Sequence, residues 1–405
     1  MAFVPDARVQ IYEPLPSPTH IRLLRRLPED KAAETPVPRL YLETYDLPSC
    51  PKFTALSYTW GPCVDDKDSS SYNNSEDFRV ECNGQLCIVT ENLYHFLDSC
   101  AQDYLWVDAL CINQEDVNER ATQVSFMGRI YISANIVIMW LGRDTSDLDK
   151  FVFLHERFLQ EVDKRDIDIF TQSLWDLPFL REIGIESTEQ WREYWQAYHR
   201  FYHRRRFFYR AWIVQEYALA RRQVFACGRN LTLLHANLMN RLSTYVLNGL
   251  WYEELEYFDL SFDKMAYPMD IMLNTRGILF EERLDSREFQ VTKGGPEGVL
   301  QKRKYESMYG ATTLETRWFC FLLSLLCMNR ALGATDARDK VYSVLGLANL
   351  HLPKNSPLPI VPDYHLTMRE IFISVSWQIL QSIPYLAILS EVHDRPGDRN
   401  KSLPS

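Results

Sequence analysis

No apolar stretch in this 405-residue chain is long enough to cross a bilayer, and the longest candidates are broken by charges. Near the start stand Pro5 and Asp6, where a secretory signal would carry a basic region and then an apolar run, so no export signal is expected. The pattern GxxxxGK followed by Ser or Thr does not occur, and no GxGxxG follows a strand-like run. ATP hydrolysis by those routes is therefore not indicated. No Cys or His pairs have zinc-site spacing, so neither a metal nor another cofactor is expected. Internal repeats and low-complexity tracts are absent. The nine cysteines are odd in number and follow no small-scaffold pattern, which fits reduced thiols and a cytoplasmic location. A net charge of −10 argues against a general nucleic-acid binder, although a local basic patch is still compatible with it.

What is present suits a globular protein of two domains. IRLLRRL and PRLYLETY read as short strands, and the β-prone run TALSYTWG follows them. FRVEC and QLCIVT flank Asn83-Gly84, a pair suited to the φ > 0 positions of a hairpin turn. Asp65 to Asp77 reads as a loop, and Thr90 as the cap of a helix through Leu97. Residues 143–206 read as a polar helical insertion anchored by Trp175, Trp191 and Trp195. The strand QVFACG follows, and from about Leu231 the chain is mostly helical. There, Gly294-Gly295-Pro296 marks a loop, TRWFCFLLSLLCMNRAL a buried helix, and DARDKVYSVLGL a helix capped near Asp336 and stopped at Gly346. A boundary near residue 235 separates 1–235 from 236–405.

The richest stretch runs from Leu105 to Gly142. YLWVDAL and NIVIMWL are buried-strand runs. Between them Val117, Ala121, Val124, Met127, Gly128, Tyr131 and Ala134 recur at helical spacing, behind a cap at Asp116 and Glu119. Asp108 and the Cys111-Ile112-Asn113-Gln114 loop thus fall at the carboxyl end of a strand, where open parallel sheets bind ligands. Asp108 suits a ribose hydroxyl or a turn cap; Asn113 and Gln114 suit a ligand or turn geometry. Cys111, with His95 or His203 as base, is a thiol-nucleophile candidate that no local signature supports, and a buried small residue is the better reading. Cys82 and Cys87 flank the hairpin turn and are placed to meet across it. HRFYHRRRFFYR interleaves arginines with aromatics, a composition that grips single-stranded nucleic acid or, in an acidic chain, simply an ion-paired stretch. Glu216 has Trp212, Ile213, Leu219 and Ala220 as its helical neighbours, so its carboxylate faces inward. It either meets an arginine such as one of Arg204–Arg206 or does chemistry.

ALSYTWG, VTENL, LWVDALCINQEDVNERATQVSFMGRIY, WLG and RRRFFYRAWIVQE, in that order, resemble the fungal heterokaryon-incompatibility (HET) domain, and DARDKVYSVLGL with PDY resembles the segment that trails it. Phe207-Phe208 replaces a usual Pro-Trp, and the 143–206 insertion is individual to this chain. Relatives often continue beyond SLPS into a further Trp-rich segment. The resemblance implies non-self recognition and programmed, immune-type cell death. More remotely it implies a TIR-like (flavodoxin-like) α/β fold, with a mostly parallel sheet flanked by helices, an N-terminal β hairpin region and a mostly helical C-terminal region. On that likeness Trp212 and Glu216 match the Trp-x-x-x-Glu spacing of NAD-cleaving TIR domains, which makes Glu216 the implied catalytic carboxylate. Ser57, Tyr58, Trp60, Gly61, Asp108, Asn113, Gln114 and Trp212 are the implied nucleotide-binding residues. NAD or a related nucleotide is the implied substrate. Self-association and a partner incompatibility protein are the implied contacts. A non-enzymatic signalling or nucleotide-binding module is the alternative.

Overall fold

The computed structural model describes residues 11–28, 37–64, 78–248, 250–257, 313–353 and 356–383, so the loops expected at 65–77 and 294–296 lie outside the described residues. Compactness divides the chain into two units. One is Met1–Gln114, Ser133–Arg210 and Ala220–Asp270; the other is Glu115–Ile132, Ala211–Leu219 and Ile271–Ser405. The boundary expected near residue 235 cuts the chain once in sequence order, whereas both units are assembled from separated segments.

The first unit is built on a nine-stranded sheet of order β5-β4-β2-β1-β6-β3-β7-β8-β9. The strands are β1 (His20–Arg26), β2 (Arg39–Asp46), β3 (Thr54–Tyr58), β4 (Arg79–Cys82), β5 (Gln85–Ile88), β6 (Tyr104–Trp106), β7 (Ile136–Trp140), β8 (Gln223–Cys227) and β9 (Thr232–His235). All five residues of β3 are buried, as in a central strand covered on both faces, and β7 is buried over four of its five. In β2, Leu40 and Leu42 are buried while Tyr41 is exposed. That alternation marks a strand with one face packed. Asn83 and Gly84 turn the β4–β5 hairpin with φ of 52° and 77°, as the pair requires.

The mostly parallel sheet expected from the resemblance is in fact mixed. Four pairings among the described strands are parallel (β2–β4, β3–β6, β3–β7, β7–β8) and four antiparallel (β1–β2, β1–β6, β4–β5, β8–β9). The reason lies in the connections. Hairpins need only a tight turn and place the antiparallel strands β5 and β9 at the two edges, while β6, β3, β7 and β8 pair in parallel and β2 with β4 adds one parallel pair nearer the β5 edge. The β9 strand, absent from the sequence reading, is one such addition, turned by Gly228 and Leu231 at φ of 78° and 49°. The strand–helix–strand unit at Leu105–Gly142 is present with a refinement: β6 and β7 do not pair, because β3 lies between them. The Asp116 carboxylate caps the connecting helix Val117–Ser133 by accepting from the Asn118 and Glu119 amides at 2.9 and 3.0 Å. Thr90 likewise caps Glu91–Ser99.

The 143–206 segment is helical, as expected, with Leu148–Phe153, Leu154–Phe158, Leu159–Lys164 and Thr188–Arg204 as its main pieces. Trp191 and Trp195 are fully buried there, and Phe158 packs edge-on against Trp195. His155 sits inside this aromatic cluster, 4.1 Å from the Phe151 ring, with Nδ1 2.7 Å from the Phe151 carbonyl.

The second unit contains the buried helix Leu314–Asn329, capped by Thr313, and the helices Asp339–Ala348 and Met368–Ser382, the last closed by a Thr367/Glu370 capping box. The helical C-terminal region is therefore present. Gly346 does not stop its helix but lies within it.

Burial pushes the His155 imidazole from 6.5 down to about 4, so between those values the unfolded chain binds a proton that the folded one refuses. This contribution is complete above the unfolded value and is lost as pH falls toward the folded one, by up to about 3 kcal/mol. Urea unfolding at about pH 7.5 and about pH 5 is expected to show that loss in the wild type and a flatter response in His155→Phe. An identical pH response in the two proteins contradicts it.

Candidate functional site

Three strands of the first unit, β3, β6 and β7, run parallel and end at the same edge of the sheet. Ser57 and Tyr58 are still inside β3 and buried, while Trp60 and Gly61, just beyond it, are half-buried. The strand expected over YLWVDAL ends at Trp106, and the chain then makes one helical turn, Asp108–Cys111, where the expected loop was to begin only at Cys111. The reason is local: the Leu110 and Cys111 amides donate to the Val107 carbonyl at 3.0 and 2.7 Å, and the Asp108 carboxylate takes the Ala109 amide at 2.7 Å. From β1, the buried Arg22 guanidinium braces the turn by donating to the Cys111 carbonyl at 3.0 Å. Tyr12 donates to the Leu110 carbonyl at 3.2 Å.

These contacts assemble much of the expected strand-end set. The Trp60 indole N–H donates to Asp108 Oδ2 at 2.9 Å, and Gln114 Nε2 donates to the Asp108 carbonyl at 2.9 Å. Asn113 is half-buried beside them in sequence. At the end of β7, Gly142 has φ of +94°, and a Cβ there would stand 2.3 Å from Cys63 Cβ. Glycine is thus required on two counts, and it lets the loop after β3 lie directly against the end of β7. Asn92 Nδ2 donates to the Thr59 carbonyl at 2.9 Å and holds the root of that loop.

Other candidates do not assemble. Burial pushes the Cys111 thiol up to about 12, so it stays protonated. His95 faces Glu91 at 3.4 Å, and His203 faces Tyr209 at 3.3 Å. Cys82 and Cys87 do meet across the hairpin, as free thiols. In the arginine-aromatic stretch, Phe201, Tyr202, Phe207 and Phe208 are buried in the core and offer no stacking platform to a nucleic acid. Among the described residues no group of three or more His, Cys, Asp or Glu is arranged to hold a metal, and no helix is long and apolar enough to cross a membrane.

The second unit carries the Trp-x-x-x-Glu pair on the helix Trp212–Leu219. Glu216 is 1% exposed, and every residue from Ile213 to Leu219 is buried. Trp212 is half-buried, and its indole N–H donates to the Asp339 carboxylate. The Tyr364 hydroxyl donates to Asp339 Oδ1 at 2.6 Å, and the Arg120 guanidinium lies 4.1 Å from the Tyr364 ring centroid. Burial raises the Asp339 carboxyl above the usual range, against the two donors that favour its charge. Sequence reasoning missed Asp339 as the partner of Trp212, and Tyr364 and Arg120 as the residues linked to it in turn. The DARDK and PDY segments stand out in the sequence, but no spacing ties residue 212 to residues 339 and 364.

Close approach also fixes this helix. A Cβ on Gly346 would stand 2.1 Å from Gln215 Oε1, and a Cβ on Gly128 would stand 3.2 Å from Leu219 Cδ1. Gly346→Ala is expected to cost about 1–3 kcal/mol of stability through overpacking, and Gln215→Ala in the same chain is expected to recover most of it. Thermal unfolding of the two single variants and the double variant measures this coupling. Strict additivity would disprove the contact.

A family model described as heterokaryon incompatibility protein (HET) matches residues 53–216, a span that begins one residue before β3 and ends at Glu216. The chain is 27% identical over 392 residues to heterokaryon incompatibility protein 6, OR allele, of Neurospora crassa. That alignment takes in 90% of this chain and 52% of the relative, so the chain spans about half the length of the curated relative it matches. No solved structure matches it. The matched span carries both the strand-end cluster and the helix with Glu216, and over it the chain is similar to the heterokaryon-incompatibility domain.

Proposed function

We propose that this protein acts in fungal non-self recognition and programmed cell death, as a cytoplasmic TIR-like enzyme that cleaves the nicotinamide–ribose bond of NAD. The observation that carries this reading is Glu216, a carboxylate 1% exposed on an apolar helix, one turn after Trp212. A carboxyl group buried on this scale is a candidate functional position. In the reaction the C–N glycosidic bond breaks and its electron pair goes to the pyridinium nitrogen, so nicotinamide leaves neutral and needs no general acid. Water adds at the ribose carbon, its proton is released, and ADP-ribose is the product. Glu216 is the carboxylate that stabilises the oxocarbenium-like transition state. Ser57, Tyr58, Trp60, Gly61, Asp108, Asn113, Gln114 and Trp212 are assigned to holding the nucleotide. Self-association and a partner incompatibility protein belong to the same proposal.

The same burial also favours a second reading, a non-enzymatic signalling module, because a carboxylate that works on a substrate must be reached. One assay separates them. The purified full chain, dilute and then concentrated, is incubated with NAD, and nicotinamide release is followed. Release that rises with protein concentration and falls by about a hundredfold or more in Glu216→Gln is expected, the scale of losing one charge-stabilising group. Intact NAD with both proteins, while the wild type still kills fungal cells on overexpression, rejects the enzyme and leaves the signalling module.

A further inference from the structure

Two adjacent arginines, Arg205 and Arg206, are treated oppositely by the fold. Arg205 is turned inward and is 1% exposed. Its guanidinium lies 3.6 Å from the Phe201 ring centroid and donates to the carbonyls of Phe201 and Asp144, both at 2.9 Å. Its Nη2 also stands 3.7 Å from Asp144 Oδ2. That buried anchor fixes the backbone of the next residue. Val64 and Arg205 form an antiparallel bridge, and the Arg206 amide donates to the Cys63 carbonyl at 3.0 Å. The Arg206 side chain is exposed and runs along the loop after β3, with Nη1 3.9 Å from where a Cβ on Gly61 would stand.

This loop is held on both sides of Gly61. Asn92 fixes the Thr59 carbonyl, Asp108 fixes the Trp60 indole, and Gly142 admits Cys63. A guanidinium therefore stands beside bare glycine backbone at the carboxyl end of β3, the sheet edge where parallel strands take nucleotides. We propose that Arg206 and the Gly61 backbone form an anion-binding element for the diphosphate of a nucleotide. The planar fork of arginine matches two phosphate oxygens, and glycine lets a phosphate come up to a main-chain amide. In a chain of net charge −10, electrostatic attraction of such an anion has to be local, and Arg206 supplies it. The inference rests on the reading that this sheet edge holds a nucleotide, but it does not require Glu216 to do chemistry.

Calorimetric titration of the full chain with ADP and with adenosine tests it. ADP is expected to bind more tightly than adenosine. Arg206→Ala and Arg206→Gln are expected to weaken ADP binding by about ten- to a hundredfold, the worth of a charge-assisted hydrogen bond, with adenosine unaffected. Arg206→Lys is expected to retain part of the affinity. The inference is overturned if the variants bind ADP as the wild type does or lose ADP and adenosine alike. Failure of the wild type to prefer ADP, including failure to bind either, also overturns it. The NAD assay keeps the two ideas apart. Intact NAD together with Arg206-dependent ADP binding rejects cleavage alone. NAD cleavage whose KM ignores Arg206 rejects this element alone.

Discussion

Parallel pairing of β3 with β6 on one side and β7 on the other sends three segments out of the sheet at one edge. Everything distinctive in the first unit follows from how those exits are accommodated. The segment after β6 turns at once into helix, so the Asp108 carboxylate stays at the strand end. The segment after β3 must pass close to the end of β7, and only a residue without a Cβ at position 142 allows it. The N-terminal strands add a brace from the side, through Arg22 and Tyr12, onto the carbonyls of the Asp108–Cys111 turn. The antiparallel additions at both edges of the sheet leave this central arrangement untouched.

A different constraint organises the second unit. Gly128 and Gly346 lie on separate helices, and both present bare backbone where the helix Trp212–Leu219 needs room: Leu219 sits over the first and Gln215 over the second. Contacts at two places along one short helix fix both its rotation and its position along the axis. Trp212 and Glu216 are one turn apart, on a common face, so their directions are set by glycines more than a hundred residues away from each other. The Asp339 hydrogen bond to Trp212 adds a polar stop to that packing.

How much of this was legible in the chain depends on whether the cause was local. The strands TALSYTWG and NIVIMWL, the Asn83-Gly84 turn and the caps at Thr90 and Asp116 are produced by neighbouring residues, and they can be read from them. The burial of Glu216 was legible for the same reason, since its i±3 and i±4 neighbours are all apolar. Three features were not legible. The insertion of β3 between β6 and β7 is a choice of pairing partner, which periodicity does not encode. Gly346 reads as a helix stop by its type, yet it serves a helix-to-helix contact, because tertiary packing outweighs the roughly 1 kcal/mol propensity cost of an internal glycine. The bond from Trp212 to Asp339 joins positions 127 apart, and no spacing rule reaches that far.

Each unit gives one expected aromatic residue a carboxylate partner, and this narrows what those residues can do. An indole has a single N–H donor. For Trp60 it is committed to Asp108, and for Trp212 to Asp339, so what each ring retains for a ligand is its face. The carboxylates are correspondingly occupied: Asp108 accepts the Trp60 indole and the Ala109 amide on its two oxygens, and Asp339 accepts from Trp212 and Tyr364. Both therefore hold geometry. Under the enzyme reading proposed above, bond cleavage would rest on Glu216. At 1% exposure an ionised carboxylate carries a desolvation penalty of several kcal/mol. The same penalty would strengthen its interaction with a positive charge developing on a ribose, because a dry carboxylate acts through a lower dielectric than a wet one. The burial that shields this carboxylate is thus also the condition under which it would be most effective once reached.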